Sequence, residues 1–196
     1  MKKSITGNIG FTLAEVLLVF SILGIVAVMT MPELVDNIME SSFSKSSDVF
    51  LSKLQEVGNQ MSIADDFTGY STNEQFADVF TRYIKVAKRC NSANLSQCFV
   101  SQFRTESNQI INTSSLTTSA NLTTFSNTNP LVGFTLLNGT SVIMAYDPNC
   151  VLDEVDKYNT AISKTYCMSI LYDVNASTGP NKIGKDILTI NATVSP

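Results

Sequence analysis

The chain has no histidine among its 196 residues, and that absence removes several chemistries at once. No imidazole can serve a serine or cysteine nucleophile as base. The sequence also has no Gly-x-Ser-x-Gly elbow, no phosphate-cradling glycine loop and no evident pair of opposed acids. Zinc loses its usual nitrogen ligand, and Cys90, Cys98, Cys150 and Cys167 supply no Cys-x-x-Cys pair. Catalysis is not expected. Basic side chains are also few, 13 against 17 acidic for a formal charge of −4, and they form no stripe of the kind that follows a nucleic-acid backbone. Lys85, Lys88 and Arg89 are the one tight basic cluster. Their place at the end of a predicted helix reads as a complement to the helix dipole, ahead of any DNA contact.

Charge is nearly missing from one long stretch. Phe11 to Met31 is an apolar run of 21 residues, and at about 1.5 Å per residue it makes a helix of roughly 30 Å, the thickness of a bilayer's hydrocarbon core. Glu15 is its single charged residue. A carboxylate in such a place is unfavourable without a partner, and intramembrane acids tend to carry function. The run is too long for the apolar region of a secretory signal peptide, and it continues through Val28-Met29-Thr30 without a small-residue cut site. A plain membrane anchor would explain the length but not Glu15. Before the run, Met1 to Gly10 is polar, with Lys2 and Lys3 as its only charges; after it come Glu33, Asp36 and Glu40. By the positive-inside rule the short leader is cytoplasmic and the bulk of the chain extracytoplasmic.

Gly10-Phe11-Thr12-Leu13-Ala14-Glu15 resembles the processing motif of type IV pilins and of the pseudopilins of type II secretion systems. The resemblance implies that a prepilin peptidase cuts after Gly10 and methylates the new terminus, Phe11. It further implies that Glu15, fifth after the cut, pairs with the terminal ammonium of a neighbouring subunit. Opposite charges in low dielectric attract strongly, which offsets desolvation and fixes the register between helices. Gly24 and Pro32 stand fourteenth and twenty-second after the cut, where many pilins carry the same residues. Both weaken a helix, so the stretch between them can unwind on packing.

The resemblance implies a structural subunit, pilin or pseudopilin, of a type IV pilus or type II secretion-like filament. Its partners would be other subunits, the prepilin peptidase, the membrane and an inner-membrane assembly platform. The precursor would be a single-pass inner-membrane protein, and the polymer periplasmic or on the cell surface. A minor or competence-type subunit is the alternative within the class. A membrane-anchored binding domain that does not polymerise is the alternative outside it.

The expected organisation is a leader over 1–10, an assembly helix over 11–31, its amphipathic continuation over 32–66 and one ectodomain over 67–196, since 196 residues leave room for a single small core beside a membrane helix. Losing Lys2 and Lys3 with the leader leaves 11 basic against 17 acidic side chains, a charge of −6. Beyond the span, Phe43, Phe50, Leu54, Val57 and Met61 form an amphipathic stripe that continues the helix to about Asp65-Asp66 or Gly69. A second helix is expected from about Asn73 to Arg89, capped by Thr72 or Asn73. Residues 91–129 are rich in Ser, Thr and Asn and read as turns and loops pinned by scattered apolar side chains.

Leu131–Leu137 and Thr140–Tyr146 flank Asn138-Gly139 and predict a hairpin. Thr165–Val174 and Asp186–Val194 predict two further strands. The fold class is therefore α+β, a long amino-terminal helix on a small antiparallel sheet, which is the pilin architecture. The even cysteine count fits an oxidising compartment, and sequence proximity favours Cys90 with Cys98 and Cys150 with Cys167. Zinc ligation and free buried thiols are the weaker alternatives. The segment from Asp173 to Asp186 places Asp173, Asn175, Ser177, Asn181 and Asp186 where oxygens could converge on a hard cation such as calcium. Major pseudopilins resemble it in having a calcium loop near the carboxy terminus, although their motif does not align here and the EF-hand pattern fails. A tight inter-strand turn is the competing reading.

Overall fold

A computed structural model describes residues 12–65, 67–122, 125, 127–149, 167–176 and 178–192. The chain divides into two compact units, one ending at Ser42 and one starting at Phe43. Helix α1, Leu13–Ala64, contributes to both. In the first unit its apolar side chains face no protein core: Leu17, Leu18, Phe20, Ile22, Leu23 and Ile25 are all exposed. This stretch is long and apolar enough to cross a membrane, with a mean hydropathy of 2.4 over its most apolar window.

The second unit is built on a five-stranded antiparallel sheet. Its strands are β1 (Val86–Cys90), β4 (Val132–Leu136), β5 (Ser141–Tyr146), β6 (Met168–Asp173) and β7 (Ile187–Ala192), adjacent in that order. A two-stranded ribbon, β2 (Gln102–Arg104) with β3 (Ile110–Asn112), stands apart from it. One face of the sheet presents Phe134, Val142, Met144, Tyr146, Ile170 and Tyr172 to α1 and to helix α2, Asn73–Tyr83. From α1 the expected stripe of Phe50, Leu54, Val57 and Met61 is buried there, with Phe43 packed against its edge. The hydroxyl of Tyr172 lies 2.8 Å from that of Ser47, a buried polar tie between sheet and helix.

The other face carries Ile143, Ala145, Leu171 and Ile187 beneath Leu95, Phe99, Phe103 and Leu116. With both faces covered, β5 and β6 are buried at every position, so they read as continuous apolar runs without alternation. The α+β arrangement expected from the sequence is present, and three of its local details are corrected.

The second helix stops at Tyr83 and does not reach Arg89, because Ile84 turns extended (φ −122°, ψ 137°) and the chain continues as edge strand β1, which pairs with β4. Thr72 is the cap, accepting from the Gln75 N–H, while Asn73 sits inside the helix. Its buried amide is a hub: the side-chain oxygen accepts from the Tyr146 N–H at 2.9 Å and Nδ2 donates to the Pro130 carbonyl at 2.8 Å. In the β4–β5 hairpin, Gly139 alone has positive φ (89°), and its N–H donates to the Leu136 carbonyl. The two-residue mirror-image turn that Asn-Gly signals needs positive φ at both positions. The connection is instead a longer turn that uses only the glycine's freedom. The loop-like region after Cys90 holds short elements: a 3₁₀ stretch at Ser92–Gln97, the β2–β3 ribbon, and helix α3 at Ser119–Leu122.

Candidate functional site

At the start of α1, Thr12 and Glu15 close a reciprocal cap. The Thr12 N–H and hydroxyl each donate to Glu15 Oε2 at 2.8 Å, and the Glu15 N–H donates to Thr12 Oγ1 at 3.3 Å. Thr-x-x-Glu at a helix start is the capping-box signature, satisfying two otherwise orphaned donors. The signal was in the sequence, and it makes Thr12 a site residue beside Glu15. Glu15 is thus not a bare charge on an apolar rod. Further along, the hydroxyls of Ser21 and Thr30 donate to the carbonyls four residues earlier, Leu17 at 2.8 Å and Val26 at 3.0 Å. These two hydroxyls are thus satisfied within their own helix. The helix runs unbroken through Gly24 and Pro32. Gly10 and Phe11, the expected cleavage and methylation residues, lie outside the described residues.

The second candidate is the loop between β6 and β7. Asp173 and Asp186 are both fully buried. The two oxygens of Asp186 accept from the N–H groups of Asn181 (2.7 Å) and Lys182 (2.8 Å). Asp173 Oδ1 accepts from the Asn175 N–H at 3.1 Å, but its Oδ2 has no partner, and neither do Asn175 Oδ1 or Asn181 Oδ1. Burial pushes the Asp173 carboxyl up to about 7; the Asn175 N–H opposes this and the neighbouring Asp186 reinforces it. Lys182, whose N–H serves Asp186, turns its Nζ away to donate to Asn108 Oδ1 at 2.8 Å.

Three partnerless acceptors from one carboxylate and two amides fit the oxygen-only demand of a hard cation. No group of three Asp, Glu, His or Cys residues among the described residues is placed to hold a metal ion, so amides would carry much of the ligation. Asp173 and Asn175 therefore offer free oxygens, Asp186 is engaged in shaping the loop, and Ser177 lies outside the described residues.

Cys90 and Cys98 form a disulfide, which ties the end of β1 to the 3₁₀ stretch. Cys167 is disulfide-bonded too, and Cys150 lies outside the described residues. The basic cluster is not a helix end. Arg89, on β1, reaches back across α2 to the carboxylates of Glu74 and of Asp78, the latter at 2.5 Å. Its guanidinium is held within the fold by these two carboxylates. Comparison of the chain with family models, with curated proteins and with solved structures finds no match.

Proposed function

We propose that the chain is the precursor of a pilin-like structural subunit, held in the inner membrane by α1, cleaved after Gly10, methylated at Phe11 and polymerised helix against helix. One observation carries the reading: a continuous helix exposes an uncovered apolar surface with a single carboxylate, Glu15, in its first turn, and its buried continuation belongs to a sheet domain. Lipid satisfies such a surface in the precursor, and neighbouring copies of the same helix would satisfy it in a polymer. Glu15 would then give up its local bond to Thr12, or share it, to meet the ammonium of the next subunit.

The sheet domain forms the outer surface and holds no catalytic role. Its β6–β7 loop would hold calcium through Asp173, Asn175 and Asn181, with Asp186 setting the loop's shape. The ion would supply the counter-charge the buried carboxylates lack.

Amino-terminal mass spectrometry of the mature protein tests the reading. Phe11 as a methylated first residue is expected, and recovery of intact Met1 to Gly10 from cells with active prepilin peptidase would overturn it. A chain that serves only as an anchored binding domain would mature without polymer.

A further inference from the structure

We propose that a groove beside α1 in the second unit receives the segment Val35–Glu40 of another copy of this chain, an inference that rests on the filament reading above. The groove has a volume of about 400 Å³ and is lined by Val49, Tyr83, Ile84 and Leu137 together with Lys53 and Lys85. Val49 and Leu137 are 65% and 66% exposed, large values for apolar side chains on one concave surface. Lys45 precedes Val49 by one helical turn and so shares its face. Glu56 on α1 holds Lys53 at 2.7 Å, whereas Lys45 and Lys85 make no ion pair with any described residue. The groove is therefore apolar, with Lys85 among its lining residues and in no ion pair with a described residue.

The segment after the span has the complementary pattern. Residues 11–31 already match the hydrocarbon thickness, at roughly 30 Å. Val35 and Met39 thus emerge beyond the lipid, and both remain exposed. They form one ridge at i, i+4, and Asp36 and Glu40 form the next, so an apolar row runs beside an acidic one. No basic residue occurs between Lys3 and Lys45, and none of Glu33, Asp36 and Glu40 makes an ion pair with a described residue. Val35 and Met39 can cover Val49 and Leu137 while Asp36, on the adjoining ridge, meets Lys85. The contact is heterologous, groove to helix, and repeating it builds an open polymer without closing a dimer.

The test uses the full-length chain in its native host. A photo-reactive benzoylphenylalanine replacing Leu137 should yield, in sheared filaments, a dimer whose cross-linked peptide includes residues 35–40. Cross-links confined to another part of the second copy, to a different protein, or absent from assembled filaments would overturn the docking and leave the filament reading standing. Lys85→Glu and Asp36→Lys should each lower filament yield roughly fivefold, and the double variant should recover at least half of it. Losses that simply multiply in the double variant count against the pairing. A wild-type chain never recovered in polymer overturns the filament reading, and the docking with it.

Discussion

Glu15 caps the start of α1 and, in the proposed filament, would pair with a neighbouring terminus; one pair of substitutions distinguishes the two roles. Glutamine keeps the reach and the acceptor that the capping box with Thr12 needs but carries no charge; alanine removes both. If the carboxylate served only the helix start, Glu15→Gln would assemble normally and Glu15→Ala would lose about 1 kcal/mol of helix stability. Charge pairing demands that both variants remain in the membrane and both lose filaments, as seen by electron microscopy of sheared fractions. Normal filaments from Glu15→Gln would end the pairing idea.

Asp173 makes a pH-dependent prediction at the same scale. Its folded pKa, about 7, lies above its ordinary value of 3.8. Between those limits the folded state binds more protons than the unfolded chain, and stability falls as pH rises. The penalty is absent below about pH 4 and complete above about pH 7, on the order of a few kcal/mol at most. A bound cation keeps the carboxylate ionised at lower pH and cancels the slope. Thermal melts in EGTA should therefore fall from pH 5 to pH 7.5, calcium chloride should restore the midpoint chiefly at pH 7.5, and Asp173→Asn should abolish both responses. Melts identical with calcium and EGTA at pH 7.5 would remove the ion from the loop.

At the scale of elements, β1 shows where local pattern misleads. Phe76, Val79 and Phe80 repeat at helical spacing, and Ile84 and Ala87 extend the repeat far enough to suggest a helix up to Arg89. Tertiary pairing outweighs that weak preference: β1 hydrogen-bonds along β4, Cys90 is held by Cys98, and Arg89 returns to Glu74 and Asp78. β4, the strand that redirects this segment, lies far along the chain from it. By contrast the α1 stripe, the β4–β5 hairpin and the two later strands were legible because periodicity and turn residues are local signals. The Cys90–Cys98 link was legible by proximity alone. It closes a loop with a sequence separation of 8, for which chain entropy gives about 2.5 kcal/mol.

Replacing both cysteines by serine should lower the urea-unfolding free energy by that amount. A change under 0.5 kcal/mol would mean the strand pairing holds this corner unaided. Close packing beneath the link adds a constraint no sequence pattern shows. A Cβ built on Gly133 would stand 2.9 Å from Leu95 Cδ2 and 3.5 Å from Cys98 Cβ, so the buried Leu95 side chain would have to shift to admit it.

For the whole molecule, the division between units near Phe43 separates two ways of satisfying apolar surface. Before it, α1 exposes its apolar side chains; after it, the same helix supplies Phe50, Leu54, Val57 and Met61 to the sheet's own core. A chain beginning at Phe43 keeps that core and loses the exposed run, so it should be soluble, monomeric and cooperative in thermal unfolding. A chain beginning at Met61 is shorter by only 18 residues, yet it uncovers the face bearing Val142, Met144, Ile170 and Tyr172. Each large apolar side chain left bare forfeits about 1.5–3 kcal/mol, and the loss over these four is comparable to the roughly 5–15 kcal/mol by which a domain of this size is stable. The shorter chain should aggregate, by size-exclusion chromatography and loss of near-ultraviolet circular dichroism. If both truncations behave alike, the lower half of α1 is not part of the core, and α1 is only a stalk from which an independent sheet domain hangs.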